Sequence, residues 1–198
     1  DLAYKSTSSL SLNGGTIKDS SGNDATLTLP SPAASGSLSS NKALIVGGYV
    51  QEAYIKSINR PNTNMTFGSS VQIDNDTIAV GAMYERSSQR TITNGPTAAT
   101  DDTAYNGAVY IYTRDDDNSS WSQQAYIKPS NAQLSNAYFI SLGQSIALDN
   151  NTLVAGAPGD YSNQTSITNG TTSSTNTSAA SSGAVFVYTR SGTNWSQQ

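Results

Sequence analysis

The 198-residue chain contains no cysteine and no histidine. These two absences exclude disulfides, a thiolate nucleophile, a Cys/His zinc site, an imidazole base and a Ser-His-Asp triad. Charge is scarce as well: ten Lys and Arg stand against fourteen Asp and Glu, for a formal net charge of −4. The basic residues are dispersed, so no patch can neutralise several phosphates and nucleic acid is not an expected partner. No apolar run approaches the ~18 residues of a membrane span, and no charged segment followed by an apolar one opens the sequence. The chain begins at Asp1 rather than Met, as a processed product or a piece of a longer protein would.

Hydrophobic residues make up only 35% and charged residues 12%, while Ser, Thr and Asn together fill roughly a third of the chain, well away from the usual globular averages. A chain of this kind folds only if its few apolar residues are well placed, as short alternating strands separated by polar loops.

Four blocks occur twice, in the same order. Ala53-Tyr54-Ile55-Lys56 returns as Ala125-Tyr126-Ile127-Lys128, and Ile73-Asp74-Asn75-Asp76-Thr77-Ile78-Ala79-Val80-Gly81-Ala82 as Leu148-Asp149-Asn150-Asn151-Thr152-Leu153-Val154-Ala155-Gly156-Ala157. Gly107-Ala108-Val109-Tyr110-Ile111-Tyr112-Thr113-Arg114 returns as Gly183-Ala184-Val185-Phe186-Val187-Tyr188-Thr189-Arg190, and Trp121-Ser122-Gln123-Gln124 as Trp195-Ser196-Gln197-Gln198. The offsets run from 72 to 76 residues and drift only in polar segments, where loops tolerate insertion. Two copies of one structural unit are encoded.

Each block alternates apolar and polar residues with the period of a strand, and no segment carries a helical apolar period. Asp74-Asn75-Asp76 and Asp149-Asn150-Asn151 are hairpin-turn chemistry, because Asn and Asp tolerate the left-handed backbone of a tight turn. The expectation is an all-β fold whose unit is four strands. So small a sheet must bury its face against a neighbour. Radial stacking of four-stranded sheets is the β-propeller. Here the Gly-Ala pairs at 81–82, 107–108, 156–157 and 183–184 supply its close-packed positions, and Trp121, Trp195, Tyr110, Tyr112 and Tyr188 its wider ones. A β-sandwich with a duplicated half has similar strand lengths and is the alternative.

Phe67-Gly68-Ser69-Ser70-Val71 followed by Thr77-Ile78-Ala79-Val80-Gly81-Ala82 resembles an FG-GAP repeat, the blade of integrin-α-type propellers. So does Leu142-Gly143-Gln144-Ser145-Ile146 followed by Leu153-Val154-Ala155-Gly156-Ala157-Pro158. The resemblance covers roughly residues 50 to 198. It implies four-stranded propeller blades in a large bacterial surface or secreted protein. The family also implies calcium, held in an extended acidic loop between the first two strands. This chain has only Asp74-Asn75-Asp76 and Asp149-Asn150-Asn151 there, and a two-residue turn cannot offer the six to eight oxygens calcium takes. No cofactor and no metal is therefore expected.

The first fifty residues differ. Leu10 to Pro30 reads as a strand, a Gly-rich turn, and a second strand after Asp19-Ser20-Ser21-Gly22-Asn23. That pattern is similar to the closing strands of a bacterial Ig-like domain, of which half would be missing. Pro30 to Ser37 has linker composition, Leu38, Leu44, Ile45 and Val46 could form one more strand, and Tyr49 to Lys56 is expected as the outer strand preceding the first blade. The organisation is thus a partial Ig-like segment and linker over 1–48, an outer strand and first blade over 49–128, and a second, truncated blade over 129–198. Two blades do not close a ring, so the chain is expected to meet other copies of itself or further repeats of a larger parent.

Few residues suggest chemistry. Asp115-Asp116-Asp117-Asn118 and Asp101-Asp102 read as solvated turns rather than cation loops, and adjacent carboxylates in a loop lack the fixed separation of a glycosidase pair. The Ser162 to Ser182 segment reads as a loop too polar to pack. Asn64, Asn118, Asn163, Asn169, Asn176 and Asn194 head Asn-x-Ser/Thr triplets, a pattern abundant by chance in this composition. No catalytic residue is assigned. The expected function is that of a non-enzymatic extracellular structural or adhesion protein forming a surface array or filament. The alternative is a lectin-like module binding surface glycans or proteins through loop residues such as Asp101 and Tyr105.

Overall fold

A computed structural model describes residues 5–31, 34–35, 37, 51–59, 64–115, 120–135 and 137–198. The chain divides into two compact units, Asp1–Glu52 and Ala53–Gln198. Every regular element among the described residues is a strand, as the alternating pattern requires.

In the first unit the Asp19 turn forms as expected: its carboxylate accepts the backbone N–H groups of Ser21 and Asn23 at 2.9 Å and Gly22 takes a positive φ of 84°. These hydrogen bonds, led by the one from the Asn23 side chain, hold the Asp19 carboxyl below the usual range. The flanking strands do not form. A single bridge, Lys18 to Asp24, is all that pairs there, because a two-armed hairpin without a covered apolar face is marginal in water. The strand placed at Leu38 to Val46 lies outside the described residues.

The second unit holds two sheets. In the first, β1 (Phe67–Asp74), β2 (Thr77–Ala82), β4 (Tyr105–Arg114) and β5 (Trp121–Ile127) form an antiparallel meander. The two-residue β3 (Thr93–Asn94) adds outside β5, and β6 (Phe139–Leu142) lies parallel to β4. The second is the meander β7 (Ser145–Asp149), β8 (Thr152–Ala157), β9 (Ala184–Ser191) and β10 (Asn194–Gln197). Neither sheet closes into a barrel. The expected hairpins are present, with Asp74 opposite Thr77 and Asp149 opposite Thr152, and Asn75 and Asn150 both at φ 50°. The strand expected over Tyr49 to Lys56 is not observed: residues 51–57 make no ladder, since no described strand runs beside them.

Equivalent faces are buried differently. One core joins Ala79, Val109, Ile111, Ala125 and Ile127 of the first sheet to Leu153, Ala155, Ala157, Phe186, Tyr188 and Trp195 of the second. By repeat position those second-sheet residues correspond to Ile78, Val80, Ala82, Tyr110, Tyr112 and Trp121, which lie on the opposite face of the first sheet. There, Ile55 and Met65 cover them, as Ile127 and Ile140 cover their counterparts. The two sheets are thus stacked like over unlike. β4, covered on both faces, is buried without alternation from Asn106 to Tyr112, whereas β9 alternates and leaves Val185 67% and Val187 37% exposed, as a strand with one wet face does.

Glycine sets the closeness of the stack. A Cβ at Gly81 would lie 2.0 Å from the Gly143 carbonyl oxygen, and one at Gly107 would lie 2.3 Å from that of Leu142.

Candidate functional site

Each repeat places a carboxylate just past its second strand, Glu85 in the first and Asp160 in the second, and both are buried. An asparagine from the segment that follows the preceding Ile-Lys or Ile-Lys-Pro block caps each one. Asn59 Nδ2 donates to Glu85 Oε1 at 3.3 Å, and Asn131 Nδ2 donates to Asp160 Oδ2 at 2.6 Å. Backbone N–H groups two residues on complete the shell, from Ser87 at 3.2 Å and from Ser162 at 2.8 Å. A buried carboxylate without such donors would cost several kcal/mol.

The first site has more. Lys128, fully buried, pairs with Glu85 Oε2 and donates to the Gly107 carbonyl at 2.7 Å. Burial pulls the Lys128 amine below the usual lysine range, and the Glu85 charge opposes that pull. The Tyr110 hydroxyl donates to Asn59 Oδ1, and Tyr126 is buried beside it, ring centroids 5.1 Å apart. In the second site Phe186 stands where Tyr110 stands, and Asn131 Oδ1 is buried without a hydrogen-bond partner. No cation pairs with Asp160 among the described residues. Phe186→Tyr should supply the missing donor and stabilise the protein by about 1 kcal/mol. Urea unfolding is the check, and an unchanged or lower midpoint would count against the pairing.

The carboxylates singled out in the sequence are not free. Asp101, expected as a solvated turn, accepts from Ser87 Oγ at 2.7 Å, Ser88 N at 2.7 Å, Ser88 Oγ at 2.8 Å and Thr103 Oγ1 at 3.0 Å. Burial alone would raise its pKa, yet these donors outweigh burial and hold the group well below the usual carboxylate range. Asp102 pairs with Arg86 at 2.7 Å. The Asp101 contacts are a correction, because this carboxylate is semi-buried among donors and organises the loop, whereas Asp102 is exposed. Asp76 pairs with Arg114 at 2.6 Å, and Asp74 accepts the N–H of Asn150, so the two hairpin turns are tied together. Asp116 to Asn118 lie outside the described residues. Among the described residues no three His, Cys, Asp or Glu side chains sit close enough to share a metal ion. Asn64, Asn163, Asn169, Asn176 and Asn194 are all exposed.

The Ser162 to Ser182 loop has no buried residue, as a segment too polar to pack would, and its polar groups bond to one another. Gln164 Nε2 donates to Ser166 O and Thr168 Oγ1 at 2.7 and 2.6 Å, just as Gln89 Nε2 donates to Thr91 O and Thr93 Oγ1 at 2.7 and 2.9 Å. The signal was in the sequence: Ile92-Thr93-Asn94-Gly95 recurs as Ile167-Thr168-Asn169-Gly170. Tyr105 belongs to an aromatic platform. It stacks on Phe139 at 4.6 Å, meets Tyr84 edge-on at 6.1 Å and lies 4.4 Å beneath the Arg86 guanidinium. Tyr84 and Phe139 were not anticipated, because nothing in their spacing marks them as neighbours.

No helix among the described residues is long and apolar enough to cross a membrane. Compared with protein-family models and with curated proteins, the chain matches no family model and none of those proteins.

Proposed function

We propose that the chain is a non-enzymatic structural or adhesive module displayed outside a bacterial cell, its two sheets serving as FG-GAP-like blades of a propeller. The like-over-unlike stacking carries this reading. Two duplicated halves of a sandwich would meet through equivalent faces, whereas Ala79, Val109 and Ile111 of one repeat meet the opposite face of the next, around Ala155, Phe186 and Tyr188. Repetition of that contact propagates in one direction, as blades do. The buried titratable groups support a structural role as well. Glu85, Lys128 and Asp101 are consumed in holding loops and repeats together. The Ig-like reading of residues 1–48 is part of the same proposal and rests on the sequence resemblance alone. Surface biotinylation of intact producing cells should label the protein, and labelling only after lysis would overturn the extracellular placement.

A second reading, carbohydrate binding, is favoured by the Tyr84–Tyr105–Phe139 platform, since half-exposed rings flanked by an arginine suit a sugar face. On a glycan array, binding that disappears in both Tyr105→Ala and Phe139→Ala would promote this reading over the first. An array blank for the parent protein would remove it. Asp101 is unsuited to the test, because its replacement would release the loop it organises.

A further inference from the structure

In the first repeat the buried Glu85 carboxylate holds an amine on one oxygen and a side-chain amide on the other: Lys128 Nζ pairs with Oε2, and Asn59 Nδ2 donates to Oε1 at 3.3 Å. We propose that these three side chains are the site of an amide cross-link, in which Lys128 Nζ attacks Asn59 Cγ and ammonia leaves. The bond ties the segment before the first sheet to the residue just past β5. It gives a covalent brace to a chain that has no cysteine for a disulfide.

Nucleophile, electrophile and proton carrier are already gathered in a dry place. The Lys128 and Glu85 side chains have no exposed surface, Tyr110 has none and Asn59 only 2%. A buried ion pair of this kind can relieve its desolvation by passing one proton from Nζ to Oε2, which frees the lone pair of the amine. Burial already draws the Lys128 amine below the usual lysine range, against the pull of the Glu85 charge. The amide is held from both ends: Nδ2 donates to the Ala99 carbonyl at 2.7 Å as well as to Glu85, and Oδ1 accepts from the Tyr110 hydroxyl. That hydroxyl faces the oxygen on which negative charge gathers when an amine adds to Cγ. With both reactants resting on one carboxylate, the attack is intramolecular and has the high effective concentration of groups held in place.

Atoms and protons balance. Nζ passes one proton to Glu85 and forms the Nζ–Cγ bond. Glu85 then delivers a proton to Nδ2 and takes the second from Nζ, the Cγ–Nδ2 bond breaks, and ammonia departs. What remains is a secondary amide beside a protonated Glu85. Nothing is oxidised or reduced, and no other reactant enters. Glu85 touches both reacting nitrogens and Tyr110 the reacting carbonyl, so these two are the catalytic residues of the step. Each chain reacts once, and until the bond closes Lys128 remains the cation of the pair.

Mass spectrometry of the intact, denatured 198-residue protein is the test. The parent should weigh one ammonia less than its sequence, and its protease digest should contain a branched peptide joined at Asn59 and Lys128. Asn-Gly pairs such as Asn169-Gly170 can also lose ammonia, by closing a succinimide, but that ring opens in mild alkali and links no peptides. Asn59→Ala and Glu85→Gln should both keep the full mass of their own sequences and yield no branched peptide. Glu85→Gln retains both reactants, so it separates the chemistry from the packing. Tyr110→Phe, followed from fresh protein, should close about a hundredfold more slowly. Circular dichroism reports whether the variants fold, and the branched peptide in the parent decides the question whether or not they do. A parent without that peptide would overturn the proposal, and so would a folded Glu85→Gln variant that cross-links as fast as the parent.

Discussion

Above pH 10 the protein should lose stability steeply. Burial raises the pKa of Tyr110, Tyr112, Tyr126 and Tyr188 well above the ordinary tyrosine value, with the Glu85 charge adding to the effect at Tyr110 and Tyr126. A group whose pKa is higher folded than unfolded contributes stability that is complete below the unfolded pKa, here 10.0, and is lost as the pH rises. Each such tyrosine removes about 1.4 kcal/mol per pH unit, so four remove about 5 kcal/mol per unit. Lys128, pulled down by burial, acts in the opposite direction below 10.5 and offsets at most one of them. Against a typical domain stability of about 5–15 kcal/mol, unfolding should be complete within roughly two units above pH 10. Tyrosinate absorbance followed together with circular dichroism is the measurement. The four phenols should ionise in step with loss of the sheet signal. Ionisation of all eleven tyrosines near pH 10 with the fold intact would refute the prediction.

The second large effect concerns the Glu85–Lys128 pair. Lys128→Met removes the cation and leaves a fully buried carboxylate to the Asn59 and Ser87 donors. Breaking a buried pair from one side costs about 3–5 kcal/mol, because the remaining charge is neither solvated nor paired. Replacing both sides, as Glu85→Gln with Lys128→Met, should recover most of that loss, since a neutral amide can use the same donors and carries no charge to compensate. Urea unfolding of the parent, both single variants and the double variant forms a closed cycle. Single and double variants of equal stability would show that the ion pair is incidental and that packing of the lysine stem holds this end of the sheet.

The fold class and the two meanders were legible in the sequence for a simple reason. A sheet buried on one face imposes a period of two, and a two-residue turn needs residues that accept positive φ, as Asn75 and Asn150 do. The aromatic and carboxylate clusters were not legible. Tyr84, Tyr105 and Phe139 meet because β6 crosses to lie beside β4, and no local pattern records a parallel crossover. The expected solvation of Asp101 failed because the Ser87, Ser88 and Thr103 donors that bury it come from both arms of one long loop. The strand expected at Tyr49 to Lys56 failed for a different reason: Ala53–Lys56 has the composition of a strand, but pairing requires an edge, and no described strand runs beside it.

By itself the sequence determined a duplicated all-β unit, its turns, and the absence of sulfur and imidazole chemistry, because periodicity, turn preference and composition act within a few residues. Only the tertiary structure decided which face of each repeat is covered and which carboxylate has a cation. Those outcomes depend on residues far apart in the chain arriving at one place, as Glu85 does with Asn59, 26 positions away, and with Lys128, 43 positions away, and chain-local preferences carry no information about that meeting.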